Sequence, residues 1–71
     1  MITLEKIRKR VAEAIKQSGL TQTELARRLS IGQQTISHYV KGDKMPALDT
    51  FANLCAVLDI DPAYILCIKD Y

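Results

Sequence analysis

The feature that most restricts the fold is a pair of short helical patterns with only three residues between them, in TQTELARRLSIGQQTISHYVKG (residues 21–42). Thr21 and Glu24 have the spacing of a capping box, in which side chains bond free backbone amides at the start of a helix. Apolar residues then recur at intervals of three and four. The pattern predicts one helix over about residues 22–29 and a second over about residues 33–41.

The rest of the chain follows the same helical spacing, and the alternation typical of strands is absent. Further helices are predicted over about residues 3–18, 48–58 and 62–68, the last beginning with an Asp-Pro pair. The sequence therefore predicts an all-α fold, a compact bundle of five short helices in one domain, residues 1–71. The residues expected to face the core are Leu4, Ile7, Val11, Ala14, Ile15, Leu25, Ala26, Leu29, Ile36, Tyr39, Val40, Leu48, Phe51, Leu54, Cys55, Leu58, Tyr64, Ile65 and Ile68.

Composition excludes several classes of protein. Apolar residues make up 48% of the chain, with three glycines and two prolines, which argues against disorder. Apolar runs are short and interrupted by charge, so we expect no membrane helix and no signal peptide, and a cytoplasmic location. Cys55 and Cys67 form no CxxC pair and lie far from the single histidine, so we interpret both as small buried hydrophobes rather than metal ligands. We expect no cofactor, no small-molecule ligand and no enzymatic activity, because phosphate-loop and nucleophile motifs are missing.

Charge is divided unevenly along the chain. Residues 1–44 carry nine lysines and arginines against four acidic residues, whereas residues 45–71 carry one lysine against four acidic residues. This asymmetry is typical of a protein with one face for an anionic partner, although surface charge also clusters by chance.

One face of the predicted third helix carries polar groups that suit base edges. At about 100° per residue, five side chains sweep an arc of about 140°. These groups both donate and accept hydrogen bonds, and a glutamine can bond adenine with two bonds. The alternative is an ordinary exposed helix face. The five residues are Gln33, Gln34, Ser37, His38 and Lys41.

The stretch LTQTELARRLSIGQQTISHYVKGDKMP, followed by LDTFANLCAVLDIDPAYIL, resembles the phage-repressor type of helix-turn-helix domain, the Cro/XRE-like family. The resemblance runs from the first helix to Leu66. It implies a lambda-repressor-like domain, usually a dimer, that regulates transcription, with the second helix of the motif in the major groove of DNA. The matching positions are Gln22, Leu25, Ala26, Ile31, Ile36 and Ser37.

Transferred by position, the resemblance predicts how the chain would meet double-stranded DNA at a palindromic operator. Base contacts are expected from Gln33, Gln34 and His38, and backbone contacts from Gln22, Ser37 and Lys41. Lys44, just after the third helix, is expected to contact phosphate as well. We further expect a homodimer through the fifth helix, with Leu66 and Tyr71 at the interface.

The chain departs from the family pattern at several positions. Ser30 and Asp59 stand where glycine is common, and Gly32 stands where a polar N-cap is common. If Ser30 is left-handed it costs about 1–2 kcal/mol, and otherwise the turn is reshaped. Ile15 and Val40 replace an arginine and a glutamate that can pair, so we expect the two apolar side chains to touch.

Two other interpretations stay open at this stage. Some helix-turn-helix domains bind proteins rather than DNA, although the basic half of this chain and its amide-bearing helix favour DNA. The chain is otherwise interpretable as the DNA-binding domain of a longer repressor. The resemblance favours a repressor, although the sequence itself does not decide between repression and activation.

Overall fold

The computed structural model describes residues 1–70, and these form five helices with no strand among them. The all-α, five-helix prediction is therefore confirmed. The second, third and fourth helices have the predicted bounds. The helices are α1 (Leu4–Gln17), α2 (Gln22–Leu29), α3 (Gln33–Lys41), α4 (Leu48–Leu58) and α5 (Pro62–Ile65).

Three helices begin at side-chain caps. Thr3 accepts a hydrogen bond from the Lys6 amide at 3.2 Å, and Thr21 accepts one from the Glu24 amide at 3.1 Å. Asp61 does the same for the amide two residues on, at 2.9 Å. Each bond satisfies a backbone N–H that has no partner within its helix. These local bonds fix where α1, α2 and α5 start.

Four helices end in the same way, at a residue with a left-handed backbone followed by an amide that bonds back to a carbonyl five residues earlier. The left-handed residues are Ser30, Gly42, Asp59 and Cys67, with φ of 55°, 81°, 53° and 65°. The closing bonds are Ile31 to Ala26 at 3.0 Å, Asp43 to His38 at 3.2 Å, Ile60 to Cys55 at 3.0 Å and Ile68 to Ala63 at 2.9 Å. This is the Schellman arrangement. Three of the four ends therefore tolerate strain that glycine would avoid.

The fifth helix is shorter than the sequence suggested. It was expected to reach Ile68 but ends at Ile65, because Cys67 takes the left-handed conformation and the chain turns away. Ile68 is consequently 68% exposed, whereas the sequence placed it in the core. Cys67 is half-buried rather than buried, while Cys55 is buried as expected.

The core lies where α1 and α2 pack against α3, with α4 against α2 and α5 against α1. Its most buried side chains are Val11, Leu25, Ile36, Leu54 and Ile65. Besides Ile68, two residues predicted to face inward do not, and each is the first residue of its helix. They are Leu4, 59% exposed, and Leu48, 87% exposed.

The predicted partners Ile15 and Val40 lie on the two helices expected to bring them together. Ile15 is 3% exposed, and Val40 is half-buried against the same core. Since α1 packs against α3, an apolar pair suits this position better than an unpaired charge would. Direct contact between the two side chains stays a prediction.

None of the helices in residues 1–70 has both the length and the apolar character needed to cross a bilayer.

Candidate nucleic-acid interface

The turn between α2 and α3 fixes how α3 is presented. Ala26 is 5% exposed and belongs to the core, where its small side chain lets the helices approach. Ser30 takes the left-handed conformation, and its amide bonds the Arg27 carbonyl at 3.2 Å. The turn thus keeps the left-handed geometry without the usual glycine, and Gly32 precedes α3 with no side-chain cap. The departures at these positions leave α3 beginning at Gln33, as predicted.

The inner face of α3 is firmly anchored. Ile36 is fully buried and Tyr39 is 5% exposed. Burial raises the pKa of the Tyr39 hydroxyl, and the nearby Asp49 carboxylate raises it further, so this group stays protonated over the physiological range. With one side committed to the core, the rotation of α3 about its axis is determined.

The opposite face of α3 carries the polar side chains predicted to meet DNA. Gln33 and Gln34 are exposed on its first turn, and Lys41 is exposed at its end. Ser37 and His38 lie between them, and both are half-buried. The structure therefore brings all five residues of the predicted face together, on one surface that we call the reading face: Gln33, Gln34, Ser37, His38 and Lys41.

His38 has a partner that was not predicted from the sequence. Its Nδ1 lies 2.9 Å from Oδ1 of Asp43, and both side chains are partly exposed, at 39% and 55%. The left-handed Gly42 produces this proximity, because the closing bond of α3 runs from the Asp43 amide to the His38 carbonyl. The signal was present in the sequence, since a glycine that ends a helix in the left-handed conformation brings the next residue, here Asp43, to the residue five positions before that one, here His38.

The remaining predicted backbone contacts flank the reading face. Gln22 is the first residue of α2 and is half-buried, next to backbone amides at the positive end of a helix dipole. Lys44 is exposed in the segment that follows α3. Both positions suit phosphate oxygens, which helix starts and lysines commonly bind.

Part of the positive charge of α2 is neutralised within the helix. The Glu24 carboxylate pairs with Arg27 at 2.6 Å and with Arg28 at 3.1 Å, so it bonds these arginines rather than completing the predicted capping box. The hydrogen bond from Arg27 lowers the pKa of Glu24, and the one from Arg28 adds to the effect. The positive charge that α2 presents is therefore smaller than its two arginines alone would give.

The predicted dimer residues lie at the other end of the chain. Leu66 is half-buried and packs against the core rather than standing free, while the exposed apolar side chain next to it is Ile68. The sequence had assigned these two residues the opposite surroundings. Tyr71 lies outside the described residues.

Comparison with known proteins gives the same motif. The curated HTH-type transcriptional regulator ImmR of Bacillus subtilis (strain 168) is 34% identical over 58 residues, which is 82% of this chain and 46% of that protein. The crystal structure of the restriction-modification controller protein C.AhdI from Aeromonas hydrophila has a TM-score of 0.71 and 26% identity, and covers 87% of this chain and 94% of its own. This chain thus spans about half the length of the curated relative. The helix-turn-helix family model matches residues 11–65, which include the whole of α2, the turn and α3. The predicted Cro/XRE-type resemblance is confirmed: the chain belongs to the helix-turn-helix family.

Proposed function

We propose that this chain binds double-stranded DNA sequence-specifically and regulates transcription, with α3 in the major groove. The observation that carries the proposal is the two-sided character of α3. Its inner side is locked into the core through Ile36 and Tyr39, while two exposed amides stand on its first turn. An α-helix fits the width of the major groove, where amides can recognise base edges. Both relatives are named as a regulator or a controller, in keeping with this role.

Within this proposal the side chains divide into two groups. Gln33, Gln34 and His38 contact bases, because they stand on the exposed surface of the helix that enters the groove. Backbone contacts come from Gln22, Ser37, Lys41 and Lys44. Backbone contacts position the protein on any sequence, and base contacts choose among sequences.

The first test separates these groups on DNA. Selection from a random duplex pool provides the preferred site, and gel shifts then compare that site with random DNA. Gln33→Ala or Gln34→Ala should weaken binding to the preferred site by about 1–3 kcal/mol and leave random DNA nearly unchanged. Gln17→Ala, an exposed glutamine at the end of α1, is the matched control. Equal losses on both DNAs would remove the glutamines from base recognition.

The lysines should behave in the opposite manner. Neutralising Lys41 or Lys44 should weaken all sequences alike and reduce the slope of log affinity against log salt by about one unit. Lys16→Met, an exposed lysine on α1, is the control with the same charge change. An unchanged slope would exclude the substituted lysine from the phosphate contacts.

We also propose that two copies bind together as a two-fold symmetric dimer on a palindromic operator. One helix-turn-helix reads only a few base pairs, and half-sites lie about 34 Å apart, one turn of DNA. The longest dimension of the protomer is 33 Å, so two copies side by side can match that spacing. We place the interface on the C-terminal segment, through α5, Leu66, the exposed Ile68 and Tyr71.

Sedimentation tests this assembly with and without a palindromic duplex. Leu66→Lys and Ile68→Lys should each reduce dimerisation and cooperative occupation of the two half-sites. In the experiment without DNA, the control is Leu48→Lys, which changes an exposed leucine at the start of α4, away from the C-terminal segment. This variant should leave assembly intact. Cooperative binding that survives both C-terminal changes would place the interface elsewhere.

The competing proposal is that this helix-turn-helix domain binds a protein and does not bind DNA. If the domain binds DNA, its affinity should fall steeply as the salt concentration rises, whereas binding through an apolar protein interface should not show that dependence. The single-domain organisation, the cytoplasmic location and the absence of enzymatic activity stay predictions. Whether the domain represses or activates is a property of the whole protein.

A further inference from the structure

The side chains of His38 and Asp43 form a pair at the end of α3. His38 stands on the reading face, and its Nδ1 is 2.9 Å from Oδ1 of Asp43. The pair is set by the helix end, since the Asp43 amide also bonds the His38 carbonyl at 3.2 Å. Two connections between the same residues hold the carboxylate beside one particular nitrogen of the ring.

The carboxylate determines which ring nitrogen holds the proton. An ionised carboxylate only accepts hydrogen bonds, so the bond to Asp43 requires a proton on Nδ1. In a neutral imidazole the other nitrogen, Nε2, then carries a lone pair and accepts. Without Asp43 the proton is free to occupy Nε2, which would turn this atom into a donor.

We propose that Asp43 is a positioning residue that makes His38 a hydrogen-bond acceptor toward DNA. The inference rests on the proposed function, since it concerns the base that His38 contacts. In the major groove the donors are the amino groups of adenine and cytosine, whereas guanine presents only acceptors. A neutral His38 held by Asp43 therefore favours an adenine or a cytosine at its position and disfavours a guanine.

The competing explanation is that the pair only stabilises the end of α3. A histidine and an acid at a helix end can do so without affecting DNA recognition. Both explanations place the proton on Nδ1, since each needs the bond to Asp43, and they differ in base preference. Stability alone does not separate them.

The first experiment measures the proton position in the free protein. His38 is the only histidine of the chain, so a nitrogen-15 spectrum of the labelled imidazole needs no further assignment. At about pH 8, above the range in which imidazoles usually titrate, the wild type should show Nδ1 protonated and Nε2 bare. Asp43→Ala should move proton density to Nε2. A wild-type spectrum dominated by the Nε2-protonated form would overturn the proposal, whether or not the protein binds DNA.

The second experiment measures base preference at the same pH. Duplexes that differ only at the base pair sensitive to His38→Ala are compared for the wild type, Asp43→Ala and Asp43→Asn. The Asn variant keeps the shape of the side chain and, through its amide, can either accept from or donate to the ring. Loss of the carboxylate should reduce the preference for adenine or cytosine over guanine by about fivefold, the worth of one hydrogen bond.

A double substitution provides the control. In a His38→Ala background, Asp43→Ala should leave base preference unchanged, since the ring it positions is gone. A similar change in both backgrounds would show that Asp43 acts through its charge and not through His38, which overturns the inference. If the wild type binds DNA sequence-specifically and its preference is unaffected by Asp43→Ala, the inference fails while the proposed function stands. Failure of the wild type to bind any duplex would refute the proposed function itself.

Discussion

Arg10 connects α1 to the C-terminal segment, and its removal is the most informative test of the fold. The guanidinium lies 4.4 Å from the centre of the Tyr64 ring. Its Nη1 donates to the Tyr64 carbonyl at 2.5 Å and to the Lys69 carbonyl at 2.9 Å. We therefore predict that Arg10→Met loosens the segment that follows α5 and weakens the fold.

The expected loss follows from these three interactions. A partly exposed cation–π contact contributes about 0.5–1 kcal/mol. Hydrogen bonds from a charged donor contribute about 1.5–3 kcal/mol each, but the one to Lys69 is exposed and counts for less. The Tyr64 carbonyl also accepts from the Cys67 amide at 3.0 Å, so removal of Arg10 leaves it with a partner and adds no desolvation penalty. We expect a loss of about 2 kcal/mol, or roughly 10 °C in melting temperature for a chain of this length.

Urea unfolding and amide exchange measure the two consequences. The free energy of unfolding should fall in Arg10→Met, and in Arg10→Lys by about half as much, since lysine keeps the charge but lacks the planar guanidinium that lies over the Tyr64 ring. The amides of Ile68 and Lys69, which both bond the Ala63 carbonyl, should exchange faster. Lys9→Met removes an exposed charge from the neighbouring position and is the control. Equal effects of the Arg10 and Lys9 changes, or unaltered exchange at Ile68, would refute the reasoning.

Three further predictions concern the core, the turn and acid stability, all measured by urea unfolding. Val40→Glu should cost about 2 kcal/mol, because the site is half-buried, and adding Ile15→Arg should recover part of it; a double mutant no more stable than the single would break the proposed contact. Ser30→Gly should stabilise by up to about 1 kcal/mol, since relief of left-handed strain exceeds the added flexibility of glycine, while Gly42→Ser should destabilise. The backbone N–H of Ala63 lowers the pKa of Asp61, and the Lys69 ammonium lowers it further. The stability that the Asp61 carboxylate contributes is therefore present above the ordinary pKa of an aspartate and is lost as pH falls through the lowered pKa. Asp61→Asn should therefore reduce stability near neutral pH but not in acid, and a constant difference across pH would contradict this assignment.

The helix-turn-helix part of the fold was predictable because its signals are local. Thr21 caps α2, Gly42 ends α3, and three residues separate the helices, so their bounds follow from neighbours in sequence. The reading face follows in turn, because Ile36 and Tyr39 mark the inner side of α3 and periodicity then assigns the outer side.

The C-terminal segment was not predictable on the same basis. Cys67 carries no left-handed preference of the kind that marks glycine, so periodicity continued α5 to Ile68. What distinguishes the segment is Arg10, which lies 54 positions before Tyr64 in sequence, a separation that no local pattern spans. Arg10 was not among the residues expected to face the core, whereas its guanidinium packs on an aromatic ring.

The exposed residues at helix starts and the partner of His38 show two further limits of prediction from the sequence. Leu48 has the spacing of an inward residue, yet periodicity describes only direction and not whether a neighbour lies there. Asp43 was counted only as a charge, although the geometry of a left-handed helix end already implied its contact with His38.

The packing of α1 connects the reading face to the C-terminal segment that we propose as the dimer interface. This helix of 14 residues, about 21 Å long, packs against α3 and against α5. Ile15 faces the core that α3 completes, while Arg10 holds the segment that bears Ile68. In a dimer formed through that segment, α1 of each protomer sets the distance from the interface to the reading face. A small change in the tilt of α1 therefore changes the separation of the two reading faces twice, once in each protomer. The fit to half-sites about 34 Å apart would thus depend on residues of α1 that act through geometry rather than through contact with DNA.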